Sequence, residues 1–453
     1  MKRLPLSLFE EYMLHADQPL CPAWMFMAGQ FRGTFEHAAL QEAARIMVNR
    51  HPMMRSIVRW QRGRWVWEQM LDWCPVIEWE TGPRMRDWPQ PYPLDLRREP
   101  ALRIVAIEHL GGDGKPEATS LFWQLHHALC DSVGMTMIFE DLLIAYAQIK
   151  GSAVTFTKLD VGLLPQRNDF GLTWFDKVKL GPGQMLGLLA CWKMHRQKAV
   201  PLAPGGIKAD LPALGAPVMI SRRFSAEERR HIGVAAKKQG VMANDFFIRD
   251  FHAALGLWRK EQGLGRSADW VRLVVPVSLR RSADRFLPAV NVLSAISINR
   301  SPKTLEDRER LLRVTLADMS WVKKRNLGYT FLTLLWLCRL APGGLRRYAR
   351  RPQVHGTAIL SNLGQLFAGN PLQNRARQQE VPGAVMEDFK AVTPFQKGAC
   401  VALDAYVYAG RLMFDLNYDP RVLSEAKAER LMELFIGQLR LSVEETIAWD
   451  AKT

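Results

Sequence analysis

The six cysteines (Cys21, Cys74, Cys130, Cys191, Cys338 and Cys400) are scattered, and none forms a C-x-x-C pair. This argues against a disulfide framework and a zinc ribbon, and predicts a reducing, cytoplasmic setting. No run of about 18 uninterrupted apolar residues occurs, so no membrane-spanning helix is expected. The basic start MKRLPLSLFEEYML has the opening of an export leader, but Glu10 and Glu11 cut its apolar run short. Export is therefore not expected. No internal repeat, zinc finger, RNP-type motif or basic-region heptad is found, and no aromatic-basic platform points to nucleic acid.

What is present is an ordinary globular composition. Of 453 residues, 48% are hydrophobic and 23% charged, enough for two or three domains. Acidic residues are outnumbered 45 to 61 by Lys and Arg, a formal charge of +16. Such a surface favours anionic partners: nucleic acid, anionic lipid, an acidic carrier protein or a phosphorylated cofactor. Two stretches sharpen the lipid reading. Residues 186–192 are apolar and lead into Lys193, His195, Arg196 and Lys198; residues 329–340 are largely apolar and lead into Arg346, Arg347, Arg350 and Arg351. Both are too short to span a bilayer and suit either an interfacial element with basic anchors or a buried helix with a charged end.

Periodicity predicts a helix over 38–48 and strands over 101–110 and 118–126, joined by the turn signal Gly111-Gly112-Asp113-Gly114. An apolar helix over 133–149 follows, capped by Asp131 or Ser132. Residues 151–216 carry repeated Gly and Pro and are expected to be a long crossover. Beyond it, Ser225 to Glu228 is a capping box. Helices are expected over 244–261, 305–324 and 423–445. Strands are expected over 271–278, 290–298 and 354–361, with a hairpin over 400–417 about Ala409-Gly410. Strands and helices alternate in both halves, which predicts two α/β lobes: 1–155, a linker over 156–216, and 217–453.

The chemistry-bearing segment is His126-His127-Ala128-Leu129-Cys130-Asp131-Ser132. Two adjacent histidines end a strand, and a helix begins after the aspartate. An imidazole on a fixed strand end can serve as a general base toward a hydroxyl or amine. His127 is the candidate; His126 points to the other strand face and is expected to be structural. Asp131 is expected to tie the turn to a distant arginine. No metal is expected, because the spacing lacks the i, i+4 histidine pair of a helical zinc site.

This segment resembles the HHxxxDG motif of the CoA-dependent acyltransferase superfamily. That group includes chloramphenicol acetyltransferase, plant BAHD enzymes, peptide-synthetase condensation domains and wax ester synthase/diacylglycerol acyltransferases. Other segments are similar in the same order: Leu4 to Ser7 with Phe9 and Glu10, Arg50 to Arg55, Leu94 to Leu96 with Glu99 to Arg103, Ala243 to Asp245, Pro276 to Arg280, Asn291, and Ser361 to Gly364. The departure is Ser132, where the family carries glycine; serine keeps the position small and can cap the helix. The DFGWG segment of the plant branch is not apparent.

The resemblance implies two chloramphenicol-acetyltransferase-like lobes, with mixed sheets flanked by helices, in a V with a central channel. It implies an acyl thioester donor, acyl-CoA or a phosphopantetheinyl carrier protein, and no permanently bound cofactor. His127 would be the base on the acceptor, and Asp131 would pair with Arg280. Ser361 and Asn362 would be oxyanion candidates, and Asn291 a supporting residue. An O-acyltransferase working on a hydrophobic acceptor is expected, as a monomer, at the cytoplasmic face of an anionic membrane or free of it. Amide formation on an amine and a non-catalytic condensation-like binding protein are the alternatives.

Overall fold

The structure, a computed structural model, describes residues 3–82, 88–168, 172–203, 211–264, 269–351, 354–396 and 398–450. The chain opens with β1 (Leu4–Pro5) and α1 (Leu8–Ala16), whose Ser7 and Glu10 cap the helix reciprocally. Next come β2 (Trp24–Gly33), α2 (His37–Arg50), β3 (Ser56–Gln61), β4 (Arg64–Gln69), β5 (Ile77–Gly82), β6 (Leu102–Leu110) and β7 (Pro116–His126). The alternation in β6 and β7 makes them strands, and α3 (Ser132–Ile149) follows as an apolar core helix.

Residues 156–216 hold more than a connection. Within them α4 (Trp174–Arg196) runs 23 residues despite Gly181-Pro182-Gly183. Its start is fixed by a capping box between Thr173 and Asp176. Two of its glycines face inward: a Cβ on Gly183 would lie 2.5 Å from the Arg325 carbonyl oxygen, and one on Gly187 would lie 2.2 Å from Thr330 Oγ1. Close packing selects glycine at these two positions.

The second half adds β8 (Val218–Phe224), α5 (Ala226–Lys238), α6 (Ala243–Glu261), β9 (Val271–Ser278), β10 (Leu293–Arg300), α7 (Pro302–Leu305), α8 (Arg308–Lys324), α9 (Thr330–Leu340) and α10 (Gly344–Arg350). It ends with β11 (Ala358–Gln365), β12 (Glu380–Val381), β13 (Ala384–Val392), β14 (Val401–Tyr408), β15 (Arg411–Tyr418) and α11 (Glu425–Asp450).

Two mixed six-stranded sheets result. One has the order β12-β13-β2-β7-β6-β5, with β5 and β6 parallel; the other has the order β10-β9-β11-β14-β15-β8, with β11 parallel to both its neighbours. The two sheets do not follow the order of the chain. Strand β13 leaves the second half and pairs against β2, with β12 outside it, because β13 presents Met386, Phe389 and Ala391 to the core of the first sheet.

Candidate active site

Strand β7 ends where the chain turns, with the Leu129 N–H donating to the His126 carbonyl at 2.9 Å. The His127 N–H donates to the Ala23 carbonyl at 2.8 Å, which fixes the backbone beneath the ring. Both histidines are buried but differ in role. His126 Nδ1 accepts from the Ala128 N–H at 3.0 Å, and its Nε2 lies 3.6 Å from Asp17 Oδ2. Burial raises the Asp17 pKa, but His126, the Ala23 N–H and Arg97 together outweigh that, and the carboxyl sits below its ordinary value. His126 is thus consumed by structure.

His127 Nδ1 lies 3.1 Å from the Cys130 carbonyl oxygen. A neutral ring places its hydrogen there, leaving a lone pair on Nε2, which has no hydrogen-bond partner among the described residues. Burial pushes the His127 pKa below the ordinary 6.5, although Asp131 and the carbonyl bonds work against the shift. The ring meets Phe9 edge-on at 5.5 Å. Burial also pushes the Cys130 thiol well above its ordinary value, so it stays protonated beside the histidine.

Asp131 caps α3, its Oδ1 accepting from the Gly134 N–H at 2.9 Å. Its Oδ2 accepts from Arg280 Nη1 at 2.5 Å and from the Val292 N–H at 2.9 Å. Arg280, just past β9, also donates to the Val290 carbonyl at 2.9 Å. Asn291 is buried beneath this network, and its Nδ2 donates to the carbonyls of His127 and Ala128 at 2.9 and 3.0 Å. The segment 290–292 therefore clamps the motif from the second half of the chain.

A further clamp lay hidden in the Arg50-His51-Pro52 stretch. The buried His51 accepts from the Ala289 N–H at Nδ1, 2.9 Å, and faces Asp141 Oδ2 with Nε2, 2.9 Å. Asp141 also accepts from Arg50 Nε at 2.6 Å. The sequence offered a motif here but no sign of its partners, which lie 90 residues or more away in the chain.

His127 opens onto a cavity of about 170 Å³ walled by Phe9, Met13, Leu293, Phe331 and Phe395. A second cavity, of about 360 Å³, adjoins it; Tyr12, Ala295, Phe331, His355 and Gln396 wall both. Its far wall is α4. There Arg351 Nη1 donates to His195 Nε2 at 2.9 Å, and Arg272 Nε donates to Asn299 Oδ1 at 2.8 Å. Burial holds the His195 pKa below its ordinary value. These walls come from at least four distant segments, so no local pattern marks them.

Ser361 and Asn362 sit apart from this arrangement and wall neither cavity. Ser361 is buried on β11 in register with Asp404. Asn362 bridges to Asn244 Oδ1 at 3.0 Å and accepts from the Gly364 N–H across a bulge. Among the described residues no cluster of three or more metal-ligating side chains occurs.

No protein-family model matches the chain, and no curated protein matches it. Solved structures do. The first condensation domain of the CDA synthetase is similar over 98% of this chain and 96% of its own, at 15% identity and a TM-score of 0.67. A variant of the starter condensation domain of rhizomide synthetase, in complex with C8-CoA and Leu-SNAC, is similar over 98% and 94%, at 12% identity and a TM-score of 0.65. The epimerization domain from the third module of tyrocidine synthetase B is similar over 98% of both chains, at 13% identity and a TM-score of 0.65. The chain thus has the fold seen in condensation domains, along 98% of its length.

Proposed function

We propose that the protein is an acyltransferase of the condensation type, with His127 as general base. The observation that carries this reading is the ring itself: Nδ1 is tied to the Cys130 carbonyl, Nε2 is unclaimed, and the ring walls an apolar cavity. In the reaction, Nε2 takes the proton of an acceptor N–H or O–H as that atom attacks the thioester carbonyl carbon. The tetrahedral oxyanion then collapses, the C–S bond breaks, and the leaving thiolate takes the proton back from the imidazolium. A protonated, buried Cys130 supports direct transfer without an acyl-enzyme.

The donor is an acyl thioester, carried on CoA or on a phosphopantetheinyl arm. One fold neighbour, in complex with C8-CoA and Leu-SNAC, supports both that donor class and an amine acceptor. The apolar walls of the His127 cavity favour a second reading, in which a hydrophobic alcohol takes the acyl group as an ester.

Thiol release tests the proposal. Acyl-CoAs and acyl-pantetheines of several lengths are paired with aminoacyl thioesters, free amines and long-chain alcohols, with His127→Ala alongside. Acceptor-dependent release lost in the variant supports acyl transfer, and the best acceptor decides between amide and ester. Equal release by both proteins, or none with any pair, overturns it.

A further inference from the structure

Helix α4 is amphipathic in the unusual sense. Trp174, Phe175, Val178, Met185, Leu186, Leu189 and Trp192 are all exposed. At the helical period these positions form one stripe covering roughly a third of the circumference. Trp174, Phe175 and Trp192 are 72%, 70% and 61% exposed, values far above those of core aromatics. The opposite side of the helix carries the buried Gly183, Gln184 and Gly187 and packs against the segment that leads into α9. Large apolar residues outward and small ones inward is the reverse of a surface helix on a water-facing protein.

The stripe is edged by cations. Lys177, Lys179, Lys193 and Arg196 are exposed on the same helix, and the Arg196 guanidinium lies 4.9 Å from the Trp192 ring centroid. The one carboxylate on α4, Asp176, is turned back into the capping box. The neighbouring α9 exposes Trp336, Leu337 and Leu340, and α10 after it exposes Arg346, Arg347 and Arg350.

We infer that the outer face of α4 seats on an anionic lipid bilayer, lying in the interface and not crossing it. Aromatic side chains at both ends of an apolar stripe, flanked by Lys and Arg, match the boundary between headgroups and acyl chains. A second copy of this chain fits the face poorly. It would set the same cations against one another on a protein already at +16.

The test is co-sedimentation of the full chain with vesicles, at low and high salt. One set is pure phosphatidylcholine, and the other is about one-third phosphatidylserine. The native protein is expected to bind the anionic vesicles, and more weakly as salt rises. The triple variant Trp174→Ser/Phe175→Ser/Trp192→Ser is expected to lose at least tenfold in affinity with its melting temperature unchanged. If that variant melts lower, Val178→Glu, a single exposed change, repeats the comparison. Absence of native binding, equal binding by the variants, or a native dimer that the variants abolish would each overturn the inference. None of these readouts depends on acyl transfer.

Discussion

Arg280 and Asp131 join across the two halves of the chain at 2.5 Å, the arginine just past β9 and the aspartate at the head of α3. The pair does not touch the unclaimed nitrogen of His127. It holds the loop on which that ring is mounted, so its removal should act through geometry. Arg280→Ala is expected to cost about 3 kcal/mol of stability, the low end for a broken buried pair, because Asp131 keeps two backbone donors. Urea unfolding measures the loss. Arg280→Lys should restore much of the stability but less of the activity, since lysine cannot reach both Asp131 and the Val290 carbonyl with a planar fork.

A base must be unprotonated to act, and burial lowers the His127 pKa below 6.5. The acid limb of kcat/KM is therefore expected below pH 6.5, with a plateau through neutrality. His127→Ala should reduce turnover by about 10²- to 10⁴-fold. A limb centred above pH 6.5 would contradict the assignment.

Ala295 walls both cavities and lies at their junction. Ala295→Phe should narrow the passage. Donors with long acyl chains are expected to lose about tenfold or more in kcat/KM relative to acetyl donors. An equal effect on all chain lengths would mean that the larger cavity does not take the acyl chain.

Asp404 and Asp415 face each other across β14 and β15, both buried. Burial pushes Asp404 up to about 7, against bonds from Thr393, and raises Asp415 as well. A folded value raised above the ordinary 3.8 contributes stability that is complete below 3.8 and lost as pH rises through about 7. Asp404→Asn should flatten that decline while keeping the acceptor for Thr393. Urea midpoints at several pH values across that window give the answer, and parallel curves for the two proteins would refute it.

Gly183 faces the Arg325 carbonyl oxygen with no room for a side chain. Gly183→Ala gains helix propensity but must displace backbone, and a net loss of about 1–2 kcal/mol is expected. A thermal melt of the variant decides this, and a gain in stability would show that α4 can shift outward freely.

Much of the local architecture was legible. Alternation over 118–126, followed by an aspartate and an apolar run, gave the strand, turn and helix that mount His127, because those elements are set by neighbours in sequence. The hairpin about Ala409-Gly410 was readable for the same reason: both residues adopt positive φ at the turn. Residues 384–392 were missed, since what makes them a strand is pairing with β2, more than 350 residues earlier. Helix α4 was read as a linker because Gly and Pro are poor helix formers. Gly183 and Gly187 are there to meet Arg325 and Thr330, a tertiary demand that local propensity does not register. The resemblance named Asn291 and the segments holding Arg280 and His51, but their partners, and the part played by the Val292 N–H, lie in contacts that spacing does not reveal.

The strand β13 sets a schedule for biosynthesis. The first sheet lacks its β2 neighbour until residue 392 has left the ribosome, some 260 residues after β7 is complete. At cellular elongation rates that interval is on the order of tens of seconds. Throughout it, β2 offers an open edge beside Phe26, Ala28 and Phe31, the kind of surface that invites pairing with another chain. The nascent protein should therefore depend on chaperone protection until its last third is made. Truncations ending before residue 384 should aggregate, even though they contain the whole histidine motif.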